Sequence, residues 1–333
     1  MKILITGVHG FVGSNLVKAL SKDNLIYGLD IVSPAREGIR YTFSWDLLDK
    51  PGEIPEVDAI IHLAGKAHDT KNQSAADVYF KVNTGLTQKI FDWFLKQPKC
   101  KKFVFFSTAK AAADKVDGVL TEDVVPSPVG PYGESKIKAE EYIISKFQDS
   151  GFKFQDLKPE TGDSPLKLET PAKQVYIFRP CMIHGPGNKG NLNLLYNVVK
   201  KGIPWPLGAF ENRRTFTSVE NICFAVNGVL TKDVPSGIYN MGDDEALSTN
   251  ELIEEICKSL GKKAHIWRLP KGMMNGFAKL GDLLHLPLNS ERLRKLTENY
   301  ISSNEKIKKA LGVERMPVDA RTGLQTTLRS FNQ

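Results

Sequence analysis

The sequence predicts an α/β chain built on a doubly wound parallel sheet, followed by a smaller C-terminal unit. Three observations predict it. Short apolar runs at 1–5, 25–29, 57–63, 102–106 and 175–179 alternate with helical patterns, as parallel strands joined by crossover helices require. A glycine turn, Gly7-Val8-His9-Gly10-Phe11-Val12-Gly13, stands between the first run and the first helical pattern. The chain has 333 residues, 41% hydrophobic and 25% charged, which suffices for one large domain or two of moderate size.

The opening stretch is strand, glycine turn, helix, in that order. Gly7 permits a tight turn, Gly10 lets backbone approach a pyrophosphate, and Gly13 lets the helix pack close to the strand. The free N–H groups of a helix beginning at Phe11 and Val12, with the positive end of its dipole, suit phosphates. The next strand ends on Asp30, whose carboxylate can accept hydrogen bonds from both ribose hydroxyls of an adenosine. That acid favours NAD over NADP.

A third strand is expected over 41–45, ending at Asp46-Leu47. The run 57–63 ends in Leu63-Ala64-Gly65, small residues that let backbone lie against a cofactor. The run 102–106 ends in Ser107-Thr108, hydroxyls at the carboxyl end of a buried strand, where open parallel sheets bind ligands. Gly130-Pro131-Tyr132-Gly133-Glu134-Ser135-Lys136 then opens a helix expected to reach about Phe147. Tyr132 and Lys136 are four apart and share a helix face, continued by Ala139 and Ile143. An ammonium beside a phenol favours the phenolate and lowers a pKa that starts near 10, making Tyr132 a candidate acid/base at neutral pH.

The stretch 151–174 is polar and carries three prolines, and it is expected to be a surface insertion. A helix over 219–230 and a strand over 237–241 follow. Next comes a helix over 248–260, opened by a capping box of Ser248 and Glu251. The stretch 273–288 is fairly apolar but interrupted by Lys279 and Asp282. It reads as a packed helix, and nothing in the sequence supports a membrane-surface role for it.

Composition narrows the class. The net charge is +7, with basic residues scattered as pairs such as Lys101-Lys102, Lys200-Lys201 and Lys262-Lys263. This reads as solvated surface rather than a nucleic-acid stripe, and a modest positive field attracts anionic substrates. Cys100, Cys181, Cys223 and Cys257 form no Cys-x-x-Cys pair and no metal-ligand spacing, so they read as reduced thiols, with no metal expected. No secretory signal and no uncharged apolar run of about 20 residues are seen, so a cytoplasmic chain with no membrane span is expected.

The Gly-x-x-Gly-x-x-Gly spacing, His62-Leu63-Ala64-Gly65, Val82-Asn83-Thr84-Gly85 and Tyr-x-x-x-Lys together resemble the extended short-chain dehydrogenase/reductase superfamily. Within it, the chain resembles the NAD-dependent epimerase/dehydratase family that acts on nucleotide sugars. The resemblance covers essentially the whole chain except the polar insertion. It implies a Rossmann-type domain at 1–183 plus roughly 216–241, and a nucleotide-sugar-binding domain at 184–215 and 242–333. It assigns Thr108 as the catalytic hydroxyl, with Ser107 the nearest competitor and a substrate contact. Asp46 would hold the adenine amino group, and Leu47 would offer backbone contacts. Asn83 would shape the floor of the site, and Arg179-Pro180 would lie beside nicotinamide. Asn191 and Leu192 stand where epimerases contact the nucleotide diphosphate. Arg214 aligns with the arginine that pairs with phosphate, and Arg292 or Arg294 would give a second phosphate contact.

Two positions depart from the family pattern. His184 replaces a Tyr, leaving open a polar role near the sugar or loop packing, and Asn221 replaces an Asp. Ala109-Lys110 stand where a family 4,6-dehydratase carries an Asp-Glu pair, so dehydration is not expected. The resemblance implies transient hydride transfer at sugar C4 by an epimerase. The alternative is an NAD(P)H-dependent 4-keto-6-deoxy-sugar reductase, which the Ser107-Thr108-Ala109-Lys110 stretch resembles. A non-catalytic NAD-sensing scaffold is disfavoured by the intact Thr108, Tyr132 and Lys136. Relatives commonly form homodimers through the Tyr-x-x-x-Lys helix, where Ile137, Tyr142 and Ile144 are candidates for the contact.

Overall fold

The computed structural model describes residues 1–66, 75–151, 173–284 and 289–331. The expected insertion lies outside the described residues over 152–172. Seven strands form one parallel sheet: β1 (Lys2–Thr6), β2 (Leu25–Leu29), β3 (Ile39–Phe43), β4 (Ala59–His62), β5 (Lys102–Phe106), β6 (Gln174–Pro180) and β7 (Gly237–Met241). Their spatial order is β7-β6-β5-β4-β1-β2-β3, so the winding reverses between β1 and β4. Ligands of open α/β sheets bind at such a reversal, outside the carboxyl ends of the strands.

The helices, in chain order, are α1 (Phe11–Leu20), α2 (Leu86–Lys96), α3 (Pro131–Asp149), α4 (Asn191–Lys200), α5 (Val219–Thr231), α6 (Thr249–Ser259), α7 (Lys271–Leu284), α8 (Ser290–Thr297), α9 (Glu305–Leu311) and α10 (Ala320–Ser330). Alternation along each strand divides the core. Ile3, Ile5, Ile61, Val104 and Phe178 face a layer built by α1, α5 and α9. Leu4, Ile60, Phe103, Phe105 and Ile177 face α2 and α3. A separate core, with Leu192, Leu252, Ile256, Met274, Leu293 and Leu324, joins α4, α6, α7, α8 and α10. The period-2 side-chain placement of a strand buried on both faces explains why these strands read as continuous apolar runs.

Most expected elements form where the sequence places them, including the Ser248–Glu251 capping box. Two differ. The third strand ends at Phe43, and Trp45–Asp49 is a 3-10 turn, because the Ser44 hydroxyl bonds Asp46 and the Ser44 carbonyl accepts from Leu47 N. Such local polar bonds compete with a sheet ladder. Helix α10 is an additional element. Asp319 caps it by accepting from Thr322 N at 2.9 Å, and only Ala320, Leu324 and Leu328 on one face supply its apolar anchor.

His62 is buried in the sheet. Its Nδ1 shares a hydrogen bond with the Thr6 hydroxyl at 2.7 Å, and its Nε2 with Thr87 at 2.9 Å, joining β1, β4 and α2. Burial, and then the nearby Lys136 charge, hold its pKa well below 6.5. The unfolded chain therefore takes up a proton below about 6.5 that the folded chain refuses, and stability falls as pH drops through that value. Urea titrations from pH 7.5 to 5 are expected to show a smaller loss of midpoint for His62→Gln than for the wild type.

Candidate active site

The glycine turn closes the carboxyl end of β1. Gly7 has φ +66°, and a Cβ there would stand 2.9 Å from Ala64 N at the end of β4. Only glycine lets the two strand ends approach so closely. Helix α1 begins at Gly10 with no side-chain cap, so the first-turn N–H groups of Phe11 and Val12 have no side-chain acceptor. Such a terminus fits a pyrophosphate. Gly13 packs against the carbonyls of Gly7 and Val8. At the end of β2, Asp30 accepts from His9 N at 3.1 Å and from Ile31 N at 2.7 Å, which fixes the carboxylate beside the turn. The sequence reading passed over Arg36, whose guanidinium donates to Ser14 in the first turn of α1. Asp46 lies exposed on the 3-10 turn, and hydrogen bonds from Ser44 and Lys50 lower its pKa. Leu47 packs partly on the core.

Across the reversal point, Leu63 N and Ala64 N both donate to the Thr6 hydroxyl, at 3.2 and 3.0 Å. A Cβ on Gly65 would stand 2.9 Å from Asn83 Oδ1 and 3.2 Å from Lys136 Nζ. The strand end thus lies directly against the candidate catalytic lysine. A π-helical turn, Phe80–Gly85, delivers Asn83 to this point. The Asn83 amide is fully buried: it accepts from Lys66 N at 2.7 Å and donates to Ser135 Oγ at 3.0 Å. Wide π turns recur at functional sites because they re-aim one side chain.

Thr108, Tyr132 and Lys136 come together. Thr108 Oγ1 accepts from Lys110 N at 3.3 Å, leaving its own proton for the Tyr132 oxygen, with which it is hydrogen-bonded. The Tyr132 ring meets Tyr79 edge-on, with centroids 6.3 Å apart. Burial pushes the phenol's pKa up, the Thr108 bond pulls it down, and the outcome is above 10. This corrects the sequence expectation of a lowered phenol. The physical reason is burial of the phenol itself, with Tyr79 adding to it; Lys136 Nζ instead donates 2.8 Å to the Phe106 carbonyl, and burial holds its own pKa down to about 8 against the pull of Glu140.

Glu140 was not anticipated, although it extends the 132, 136 series by one turn. Its carboxylate is fully buried and takes a two-pronged bond from Arg179, with Nε to both oxygens at 3.1 Å and Nη2 to Oε2 at 2.5 Å. The Ser107 hydroxyl donates to the same carboxylate. Arg179 and Ser107, expected at cofactor and substrate, therefore have side chains committed to Glu140. Arg179 Nη1 is buried with no hydrogen-bond partner among the described residues. Tyr142 and Ile144, the candidate dimer contacts, pack on the core below, and Tyr142 donates 2.7 Å to Asp92.

The second unit supplies the other wall. Asn191 and Leu192 open α4 after Gly190, which gives no side-chain cap. The Leu192 side chain lies in the core, so only its backbone faces outward. Arg214 is half-buried and donates to the Lys295 carbonyl at 2.6 Å. Burial raises the Tyr300 phenol and the Cys181 thiol, and the Arg214 charge offsets only part of that rise. Arg292 lies exposed in the first turn of α8, its backbone N–H bonded to the Asn289 cap. Arg294 faces Asp114 at 3.9 Å and Glu298 at 3.5 Å. His184 is buried, shares a 2.9 Å bond with Thr327 and stands 3.5 Å from Asp243, which decides for packing over a polar role near a sugar. Burial drives the Cys100, Cys181 and Cys223 thiols up to about 12, so none is a ready nucleophile.

A glycine cradle at the switch point, an acid after β2, and a Thr–Tyr–Lys group at the ends of β5 and α3 define an extended short-chain dehydrogenase/reductase. The sequence profile of the NAD-dependent epimerase/dehydratase family matches residues 3–242, and the chain belongs to that family of enzymes. It is 29% identical to a UDP-glucose 4-epimerase of Vibrio cholerae over 293 residues, covering 80% of this chain and 78% of that protein. It is 26% identical to an N-acetyl-alpha-D-glucosaminyl-diphospho-ditrans,octacis-undecaprenol 4-epimerase of Escherichia coli O157:H7, covering 83% and 78%. Its fold is similar to that of a UDP-N-acetylglucosamine 4-epimerase from Bacillus cereus, with a TM-score of 0.73 at 19% identity over 100% of each chain.

Two outcomes follow from the buried charges. Glu140→Gln leaves the Arg179 guanidinium buried without its counter-charge. It is expected to cost about 3–5 kcal/mol in urea unfolding, with part recovered by adding Arg179→Met. Between about 8 and the ordinary 10.5, the unfolded chain holds a proton on Lys136 that the folded chain releases. That difference makes stability rise with pH across this window. Unfolding midpoints at pH 8 to 10 are expected to lack this contribution in Lys136→Met.

Proposed function

We propose that the protein is an NAD-dependent epimerase acting at C4 of a UDP-sugar, with Tyr132 as acid/base. The observation that carries the reading is the hydrogen-bonded Thr108–Tyr132 pair, with Lys136 buried at its back. No carboxylate pair follows Thr108, which argues against dehydration. The 4-epimerase names of the two relatives and of the solved structure described above support this reading.

The residues present fit the dinucleotide. The Gly7–Gly13 turn and the uncapped start of α1 would hold its pyrophosphate, and Asp30 the adenosine ribose. Asp46 and Leu47 would meet the adenine, and Leu63, Ala64 and Gly65 would lie along it beside Tyr132 and Lys136. When bound, NAD supplies the acceptor, and then the donor, of the hydride. Tyr132 takes the proton of the C4 hydroxyl while Thr108 holds the same oxygen, and Tyr132 later returns the proton. Lys136 would hold the strand ends at Phe106 and Gly65 beside the pair, and Asn83 keeps the loop at Gly65 and Lys66 in place. Arg214, the backbone at Asn191 and Leu192, and Arg292 would receive the diphosphate, a task suited to guanidinium and helix N-terminus. The sheet and its two helical layers make the NAD-binding unit, and the separate core around α4, α6, α8 and α10 makes the sugar-nucleotide unit.

The test is to denature the purified protein, identify the released cofactor by absorbance and mass, and assay a panel of UDP-sugars. Retained NAD with turnover needing no added cofactor is the expected result. Tyr132→Phe is expected to lower kcat by about 10²–10⁴. A protein that purifies empty and consumes NADH or NADPH only with a 4-keto sugar nucleotide is instead the reductase. Bound NADP would overturn the reading of Asp30.

A further inference from the structure

Helix α7 packs as expected on one stripe and leaves a second apolar stripe uncovered. Met274, Ala278 and Gly281, at i, i+4 and i+7, are its only buried positions. A second series beside them, Met273, Phe277, Leu280 and Leu284, has the same helical spacing and points to solvent. Phe277 is 52% exposed, and Leu283, flanking the series, is 74% exposed. Trp267, four residues before the helix, is 54% exposed. Soluble proteins scatter exposed apolar side chains singly, whereas a continuous stripe along one helix marks a face with a partner.

The charges around the stripe identify that partner. Between residues 263 and 284 stand four cations, Lys263, Arg268, Lys271 and Lys279, and one carboxylate, Asp282. All four cations are exposed. Asp282 is occupied by α8, accepting from the backbone N–H of Ser290 at 3.0 Å and from its hydroxyl at 2.5 Å. A second copy of this chain, facing the stripe across a two-fold axis, would bring like cations together. A surface of anionic headgroups pairs with the cations, while an acyl boundary takes Phe277, Leu280 and Leu284, and the indole of Trp267 suits the headgroup level. No helix among the described residues is long and apolar enough to cross a membrane, so α7 would lie in the plane of the surface.

We infer that the exposed stripe of α7, with Trp267 and its flanking cations, docks the protein on an anionic phospholipid surface. The inference stands apart from the reaction at Tyr132. The full chain is sedimented with vesicles of phosphatidylcholine alone, or of phosphatidylcholine mixed with phosphatidylglycerol. The expected result is salt-sensitive binding to the anionic vesicles only. Phe277→Ser with Leu280→Ser is expected to lower partitioning at least about tenfold, and Lys271→Glu with Lys279→Glu to lower it about tenfold or more. Because these side chains are exposed, melting temperature and turnover of a soluble UDP-sugar should match the wild type. That separates this result from any failure of the epimerase reading. Wild type left in the supernatant with both vesicle types overturns the inference, as do variants that pellet like the wild type. So does a wild-type dimer that Phe277→Ser with Leu280→Ser dissociates, since a second copy would then cover the face.

Discussion

A carboxylate with no solvent exposure needs neighbours that replace the water it has lost. Glu140 meets that condition through the Arg179 fork and the Ser107 hydroxyl, and the site's geometry hangs on the result. Arg179 comes from the last turn of β6, Ser107 from the residue after β5, and Glu140 from the same face of α3 as Tyr132 and Lys136. The ion pair therefore clamps one helix onto two neighbouring strands at a single height. Tyr132 lies two turns up that helix and Thr108 one residue beyond Ser107, so the same clamp sets the height at which the two hydroxyls meet. The desolvation cost makes this arrangement a constraint on geometry more than a source of stability.

The fold was largely legible in the sequence because its signals are local. Buried parallel strands must be apolar on both faces, and the glycine turn must lie between the first strand and its helix. The grouping of Thr108, Tyr132 and Lys136 was legible for the same reason: a strand end and a four-residue spacing are visible along the chain. What the sequence hid depends on partners far apart in it. Arg179 and Ser107 looked like ligand contacts because nothing local tells of Glu140, 39 and 33 residues away. The lowered phenol was expected from Lys136 alone; the Phe106 carbonyl that takes the ammonium became visible only once β5 and α3 were packed together. Helix α7 looked buried because apolar content says nothing about which of two stripes finds a neighbour.

The two departures from the family pattern, His184 and Asn221, prove to be one feature. Both side chains meet Asp243: the Asn221 amide donates to it at 2.7 Å, His184 Nε2 stands 3.5 Å away, and Ser218 donates its N–H and hydroxyl to the same carboxylate. An Asp at 221 would set one buried carboxylate against another. The amide avoids this, and its oxygen accepts from Val318 N at 3.1 Å, drawing the approach to α10 onto α5. The substitutions belong to the joint where α5 meets the approach to α10.

That joint also bears on how such a chain can change over time. After β6 the polypeptide leaves the sheet, builds α4, and returns through α5 to lay down β7 as the edge strand beside β6, before departing again for α6, α7, α8 and α10. The core shared by α4, α6, α7, α8 and α10 is thus stitched from two separated stretches, with β7 of the sheet between them. No single crossover in the gene exchanges one unit whole.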